Sequence, residues 1–376
     1  MRRPRCLFVL SRDFGEYVTA QLFTRGQALD ARFVLPAALA PFIGAENAAA
    51  YRNLADLEAL SQALQPDFVM LCSGYLFAVN NLLSPAALAQ WLAALRGRGI
   101  TVATTDPWLA LDDANPGAAF SIASVSQGGV VPQLSEGMAR LHAQLRSLFA
   151  GLPHVYAVPM ERARPNVYSF YNPQFTANAP EPAAGGDGRW VFVLSREDHA
   201  YLEGFGGASF RERLEHHVAR LAATGGNRVT FIGPPALAPF FAGRFPDAGK
   251  VEYLAYCSAS TFERTLREAS VLGYWNVLSS SLLYCLYHRV PPVFFGAGHQ
   301  VKIRAGLYEH AVQQVYGGDA PRMLDWQDTW PAEPDRLVRE LGIDVWLGQV
   351  AARHRRSPAP LEIVETMMSN RASELA

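Results

Sequence analysis

A short segment occurs twice in this chain, and the repeat constrains the fold more than any other sequence feature. Residues 5–13 read RCLFVLSRD, and residues 189–197 read RWVFVLSRE. In each copy, an apolar run typical of a buried strand is followed by Ser-Arg and an acidic residue, where a loop begins. Each copy also opens a stretch in which strand-like and helix-like patterns alternate. The repeat therefore predicts two similar α/β domains, each with a parallel sheet.

The chain length and one linker set the expected domain boundaries. A chain of 376 residues is long enough for two or three domains. Residues 172–188 are rich in Pro, Asn, Ala and Gly, a composition that predicts a linker. We expect Rossmann-like domains over 1–171 and 189–357 that face each other across a cleft. A C-terminal helix in 358–376 is expected to be able to pack back on either domain.

Local patterns give more detailed expectations for several segments. The helical spacing of leucines predicts one long helix over 48–64. After the second copy of the repeated strand, the sequence predicts a long loop that reaches Gly206. Two capping-box patterns, Ser209–Glu212 and Ser260–Glu263, are predicted to open helices.

Composition excludes several classes of protein. The chain has 33 Lys and Arg against 34 Asp and Glu, which disfavours a protein whose main ligand is nucleic acid. Its four cysteines are widely spaced, without a zinc or disulfide pattern, so a reducing compartment fits best. The apolar run Cys6–Leu10 is too short for a signal peptide, and no run approaches the about 18 apolar residues of a membrane span. We expect a cytoplasmic protein with no integral membrane segment.

Common catalytic motifs are absent from the sequence. There is no Walker motif, G-x-G-x-x-G, G-x-S-x-G or H-E-x-x-H, which disfavours a P-loop NTPase, a standard dinucleotide oxidoreductase, a serine hydrolase of that type and a zincin. No paired aspartates stand at a convincing strand end. We therefore expect no bound metal.

Residues 271–299 carry the most specific pattern, VLGYWNVLSSSLLYCLYHRVPPVFFGAGH. It predicts a buried strand, a turn of small residues at Ser279–Ser281, a helix, and a second strand that ends near Gly298. A helix start with serine hydroxyls beyond a parallel strand suits a phosphate group. The alternative is that the serines only cap the helix.

This stretch resembles the donor-phosphate turn, helix and next strand of the GT-B superfamily of glycosyltransferases. Gly233-Pro234 and the first-half segments PDFVMLCSGY and GITVATTDPW are also similar to that superfamily. The resemblance implies a nucleotide-sugar donor in the C-terminal domain and an acceptor on the side of the N-terminal domain. Three departures leave ribose recognition and stereochemistry open: Ser279–Ser281 replaces the usual Gly-Gly or His-x-Gly, Tyr284 or Cys285 stands where Glu is common, and no E-x7-E pair is present.

Candidate donor-binding residues follow the predicted strand ends of the second half. Guanidinium and ammonium groups there can contact a diphosphate, although a surface salt bridge is the alternative for each of them. The candidates are Arg196, Gly233, Ser279, Ser280, Ser281, Gly298, His299, Lys302 and Arg304.

An inverting transfer needs a general base beside the acceptor hydroxyl. Asp13 is the first candidate and Glu16 the second, because both follow the first strand. Asp106 ends a later strand, where an Asx turn before proline is the alternative. The repeat also allows Asp13 to be only a structural strand end, equivalent to Glu197.

We expect a glycosyltransferase of bacterial surface-glycan or natural-product glycosylation. Its partners would be a nucleotide-sugar co-substrate and an acceptor, without a metal or other cofactor. Two alternatives remain: a nucleotide-sugar 2-epimerase of the same architecture, and a catalytically silent protein that binds a nucleotide sugar.

Overall fold

The structure is a computed structural model that describes residues 2–43, 48–105, 132–158, 166–176, 188–206, 208–246, 249–298, 312–313, 315–316 and 320–375. The chain divides into two compact units. The first unit comprises residues 1–178 and 353–376, and the second comprises residues 179–352. The second unit is therefore inserted between two segments of the first.

The first unit is built on a parallel sheet that has seven strands among its described residues. The strands are β1 (Arg5–Leu10), β2 (Asp30–Pro36), β3 (Ala48–Tyr51), β4 (Phe68–Cys72), β5 (Thr101–Thr104), β6 (His154–Tyr156) and β7 (Val167–Ser169). Their order across the sheet is β3-β2-β1-β4-β5-β6-β7. In the central register, Phe8 lies beside Phe33 on one side and Met70 on the other. The central strands β1 and β4 are apolar and buried on both faces, as is typical of a parallel sheet covered by helices.

Polar side chains cap three of the helices that the structure describes in the first unit. They are α1 (Phe14–Thr24), α2 (Ala40–Ile43), α3 (Leu54–Leu64), α4 (Leu76–Val79), α5 (Pro85–Gly97) and α6 (Pro132–Phe149). The side chains of Asp13, Asn53 and Ser84 accept backbone N–H bonds at the starts of α1, α3 and α5. Trp91 on α5 is fully buried against the sheet.

The second unit repeats this plan with six parallel strands in its described part. The strands are β8 (Arg189–Val193), β9 (Arg228–Gly233), β10 (Val251–Ala255), β11 (Val271–Tyr274), β12 (Pro292–Phe295) and β13 (Met323–Leu324), in the order β10-β9-β8-β11-β12-β13. The helices are α7 (Arg196–Gly206), α8 (Ala208–Ala223), α9 (Ala238–Arg244), α10 (Ala259–Arg267), α11 (Leu282–His288), α12 (Pro334–Leu341) and α13 (Ile343–His354). The aromatic core includes Trp190, Phe192 and Trp275.

The two copies of the repeated segment form equivalent strands. β1 pairs with β2 and β4, and β8 pairs with β9 and β11, so each copy is the third strand of its sheet. The predicted fold class, two Rossmann-like parallel-sheet domains, is confirmed. Several local predictions were wrong, however, and most of them concern the starts of helices.

Residues 48–64 do not form one helix. Ala48–Tyr51 is an edge strand that pairs with β2, and the helix begins only after Asn53, whose side chain accepts the N–H of Asp56. The expected loop after β8 is helix α7, since the Ser195 hydroxyl accepts the N–H of Asp198 at 2.9 Å and starts the helix at once.

Two of the predicted helix caps and part of the predicted linker also differ. Ser258 caps α10, two residues before the predicted Ser260, and Ser209 is already the second residue of α8. At the start of the predicted linker, Asn172 and Phe175 are buried, so these residues belong to the first unit.

The C-terminal helix α14 (Pro360–Leu375) packs on the first unit. Its side chains Ile363, Val364 and Met367 are buried. The backbone N–H of Tyr171 donates to the carbonyl of Pro358 at 3.0 Å, just before this helix. None of the helices in the described ranges is both long and apolar enough to cross a membrane.

Candidate functional site

The carboxyl ends of the strands of the first unit carry a set of polar groups. In an open parallel sheet this edge is where ligands bind. Ser11 follows β1, Ser73 and Gly74 follow β4, and Thr105 follows β5. The Ser73 N–H donates to the Thr105 hydroxyl at 2.6 Å, which ties two neighbouring strand ends together. Ser73 has a φ of 51°, a strained conformation for a residue other than glycine.

Glu16 lies beneath this edge with its carboxyl group buried. The backbone N–H of Ser11 donates to Glu16 Oε2, and the Ser11 hydroxyl donates to Glu16 Oε1 at 2.7 Å. Burial raises the pKa of Glu16 well above its ordinary value, and the nearby charge of Asp13 raises it further. The hydrogen bonds from Ser11 and Ser73 only partly oppose this shift. The neutral carboxylic acid is therefore favoured.

Neighbouring groups are buried in the same way. Burial and then the proximity of Glu16 raise the pKa of Tyr51, whose hydroxyl donates to the Leu10 carbonyl at 2.8 Å. The same two causes raise the pKa of the Cys72 thiol. Tyr51 and Cys72 therefore stay uncharged beside Glu16.

Asp13, the first candidate base, is exposed at the start of α1. Its Oδ1 accepts the N–H of Gly15 at 2.8 Å, so the carboxylate caps the helix. A carboxylate accepts several hydrogen bonds, so capping the helix does not by itself exclude a second role for Asp13. The third candidate, Asp106, lies outside the described residues.

Sequence reasoning overlooked the role of Ser11, Ser73 and Tyr51 around the buried acid. Ser11 stands inside the repeated segment, so a signal for it was present. Ser73 and Tyr51 join the group only through pairing of β4 and β3 with their neighbours. No local sequence pattern predicts that arrangement.

In the second unit, the carboxyl ends of β8, β11 and β12 come together around Gly298. A Cβ atom at Gly298 would lie 2.0 Å from the Trp275 carbonyl oxygen and 2.7 Å from Asp198 Oδ1. The Ser195 hydroxyl donates to Asp198 Oδ2 at 2.9 Å. The close approach of the Trp275 carbonyl and of Asp198, at the start of α7, therefore leaves no room for a side chain at position 298.

The serine turn before α11 is partly open. Ser279 Oγ and Ser281 Oγ lie 2.8 Å apart, and the Ser281 side chain does not cap the helix. Ser279 and Ser280 are half-buried, whereas Ser281 is buried. Tyr284 and Cys285 are both buried, so neither side chain offers the exposed polar contact that a glutamate would give.

Arg196 is exposed at the start of α7, with 79% of its side chain accessible. Its Nη2 lies 3.1 Å from Glu197 Oε1, so the guanidinium has the neighbouring carboxylate as a partner. Tyr256 stands close to both: burial and then Glu197 raise the pKa of Tyr256 to about 12, and Arg196 opposes the rise.

The remaining donor candidates divide into two groups. Gly233 ends β9, where an added Cβ would lie 3.1 Å from Phe231 and 3.4 Å from the Tyr253 hydroxyl. His299, Lys302 and Arg304 lie outside the described residues. Among the residues that the structure describes, no three His, Cys, Asp or Glu side chains are grouped closely enough to hold a metal ion.

No protein-family model and no curated protein matches this sequence. Solved structures do match over the whole chain. The glycosyltransferase SnogD from Streptomyces nogalater is 13% identical, with 98% of this chain and 99% of that chain covered and a TM-score of 0.52. A UDP-glucosyltransferase from Polygonum tinctorium is 13% identical, with 99% of each chain covered and a TM-score of 0.54. The glycotransferase of kitacinnamycin is 14% identical, covers 99% of this chain and 100% of its own, and has a TM-score of 0.54.

These similarities concern the fold. Each match spans both units, and the three proteins are glycosyltransferases by name. The expected resemblance is confirmed at this level: the chain has the GT-B glycosyltransferase fold. At identities of 13–14%, these similarities establish the fold but not the activity. The activity has to be inferred from the chemistry of the site.

Proposed function

We propose that the protein is a glycosyltransferase that moves a sugar from a nucleotide-sugar donor to an acceptor hydroxyl. The observation that carries this proposal is the match over 98–99% of the chain to proteins named as glycosyltransferases. The polar groups at the carboxyl ends of both sheets support it, because ligands of open parallel sheets bind at that edge. Bacterial glycan or natural-product glycosylation is the setting we favour.

The donor diphosphate is assigned to the second unit. The half-buried hydroxyls of Ser279 and Ser280 can donate to phosphate oxygens. Arg196 can exchange its contact with Glu197 for bidentate contacts to a phosphate, since its side chain is exposed. Gly298 allows its own backbone to lie close to the Trp275 carbonyl and to Asp198, in the turn that would face the donor. We propose that this set neutralises the leaving diphosphate without a metal.

The general base is assigned to Asp13. Its carboxylate is exposed and follows the central strand, whereas Glu16 is buried and favoured in its neutral form. In the proposed reaction the acceptor oxygen attacks the anomeric carbon, Asp13 takes the hydroxyl proton, and the bond to the nucleotide diphosphate breaks. Glu16 would hold Ser11 in place beside the base.

Turnover assays with a panel of nucleotide sugars, with and without acceptor hydroxyl compounds, test the proposal. Turnover that requires an acceptor supports transfer. Conversion of the donor to its epimer without an acceptor would instead identify a 2-epimerase. Binding by calorimetry without any conversion would identify a silent nucleotide-sugar-binding protein.

Two substitutions test the donor site separately from turnover. Arg196→Ala and Ser280→Ala should each weaken nucleotide-sugar binding, and Arg244→Ala is a control because that arginine pairs with Glu215 on another part of the second unit. Unchanged affinity in both donor-site variants would exclude this assignment, whatever the activity of the protein.

A further inference from the structure

A region rich in arginine lies at the amino edge of the sheet of the first unit, opposite to the carboxyl edge that carries Ser11 and Glu16. A cavity of about 450 Å³ opens there between the starts of β1, β4 and β5 and the helix α14. Its lining includes three arginines and one aspartate: Arg5, Arg98, Arg371 and Asp67. Cavities of about 300–1,000 Å³ are the usual size for small-molecule sites.

The Asp67 carboxylate in the lining of this cavity already has arginine partners. Arg5 Nη2 lies 3.3 Å from Asp67 Oδ1, the Arg5 backbone N–H donates to Asp67 Oδ2 at 2.9 Å, and Arg2 lies 3.7 Å from the same oxygen. Burial alone would raise the pKa of Asp67, but the hydrogen bonds from Arg5 outweigh it and hold the pKa below its ordinary value. Asp67 is therefore an anion committed to Arg5 and Arg2.

The other two arginines are held by neutral groups. Arg98 donates to the Ser61 carbonyl at 3.3 Å and to the Ser61 hydroxyl at 3.0 Å. Arg371 Nη2 donates to the Arg96 carbonyl at 2.8 Å. Within the described part of the chain, neither guanidinium has a carboxylate partner, and Arg371 Nε has no hydrogen-bond acceptor although it is shielded from solvent. Such an unsatisfied donor is costly unless a ligand or a small rearrangement supplies an acceptor.

The net charge of the groups that line the cavity complements the charge of a phosphate monoester. Three arginines against one aspartate leave two positive charges in excess. A phosphate monoester carries about −1.5 to −2 charges near pH 7 and offers three acceptor oxygens. Planar guanidinium groups are suited to such oxygens because they donate two parallel hydrogen bonds.

We propose that this cavity, here called the amino-edge pocket, binds the phosphate group of a soluble small molecule. It lies at the edge opposite to the groups assigned to the transfer reaction and is independent of them. Arg371 belongs to α14, whereas Arg5 begins β1 and Arg98 directly follows α5. The ligand would therefore join α14 to the rest of the first unit.

Inorganic phosphate, whose charge near pH 7 is similar to that of a phosphate monoester, is the probe for a first test, added to the 376-residue protein against sodium chloride of equal ionic strength. Calorimetry should give saturable binding, and hydrogen exchange of the α14 amides should slow in the bound protein. Arg371→Gln and Arg98→Gln should each weaken binding by about tenfold or more. Arg52→Gln removes an exposed arginine of the same unit that does not line the pocket, and it should bind as the unaltered protein does.

Inorganic phosphate could also occupy the proposed donor site, so the Arg196→Ala variant is used to distinguish binding at the two sites. In that variant the protection of α14 should persist even where nucleotide-sugar binding is weakened. Arg371→Lys keeps the charge without the planar fork and should bind with intermediate affinity, which also guards against a loss due only to misfolding. Unchanged affinity in both glutamine variants, absence of α14 protection, or binding only to vesicles of anionic phospholipid would overturn the proposal.

Discussion

The imidazole of His354 lies with Nε2 3.0 Å from the carbonyl oxygen of Phe170. His354 and Phe170 both belong to the first unit, and the contact joins positions that lie 184 residues apart in the sequence. The ring is buried and has a second hydrogen bond with the backbone of Ala157. Burial lowers the pKa of His354 to about 4, although both hydrogen bonds act in the opposite direction.

His354 should make the first unit less stable in mild acid. In the unfolded chain the imidazole takes up a proton near pH 6.5, whereas in the folded chain it stays neutral down to pH about 4. The unfolded state therefore binds more protons between these values, and stability is lost as the pH falls through this window. The full difference corresponds to about 3 kcal/mol.

Hydrogen exchange of the β1 and β4 amides between pH 7 and pH 5 measures this effect, after correction for the intrinsic exchange rates. His354→Gln should remove about 2 kcal/mol of the loss in stability over that range. The exposed His216, on the second unit, provides the control substitution His216→Gln. Equal pH dependence in all three proteins would contradict the prediction.

Asp13 has two separable roles, as helix cap and as proposed base. Asparagine caps helices about as well as aspartate, so Asp13→Asn should keep the stability of the protein and abolish acceptor-dependent turnover. Asp13→Ala should lose turnover and also about 1 kcal/mol of stability. Donor binding measured by calorimetry should survive in both. An active Asp13→Asn protein would move the base to another residue.

Glu16 should tolerate replacement by a neutral side chain of the same shape but not the loss of its side-chain oxygen atoms. Because its pKa is raised in the folded chain, the unfolded chain releases this proton first as the pH rises above about 4.5. Glu16 therefore opposes folding increasingly at higher pH. Glu16→Gln should be more stable relative to the unaltered protein at pH 8 than at pH 5, in urea unfolding experiments.

Glu16→Ala provides the contrast. It would leave the buried N–H and hydroxyl of Ser11 without their acceptor and cost about 2–4 kcal/mol. If the glutamine and alanine variants were equally stable, the hydrogen bonds from Ser11 would not have the importance assigned to them here.

The two glycines after β12 should respond differently to alanine. Gly298→Ala places a methyl group against the Trp275 carbonyl and should destabilise the second unit by about 1–3 kcal/mol, with weaker nucleotide-sugar binding. At Gly296 the nearest atom to an added Cβ is 3.8 Å away, so Gly296→Ala should be close to neutral. Denaturant unfolding and calorimetry of the two variants make the comparison, and similar losses in both would contradict it.

The sequence predicted the architecture because the repeated segment marks equivalent central strands. An apolar strand followed by Ser-Arg and an acid is a local signal, and local signals also placed β4, β11 and β12. The predictions over 48–64 failed because the leucines of α3 dominate that window. Ala48–Tyr51 is a strand because it pairs with β2. Such pairing cannot be inferred from the local spacing of apolar residues.

The candidate site was predictable only in part, for a similar reason. Asp13 and Gly298 follow strands, so their position along the chain was enough to propose them as candidates. The surroundings of Glu16 depend on Ser73 and Tyr51, which reach it from other strands. Whether a carboxyl group is buried and neutral or exposed and charged is decided by such neighbours, and neighbours of this kind come from the tertiary fold.

The return of the chain to the first unit has a consequence for how the protein is made. Ile363, Val364 and Met367 of α14 fill positions in the first unit that are vacant while the ribosome is producing residues 179–352. The apolar surface of the N-terminal segment that α14 covers therefore stays exposed until α14 has been synthesised. We expect chaperones to bind a nascent chain that is halted before residue 360. They should dissociate when α14 emerges from the ribosome.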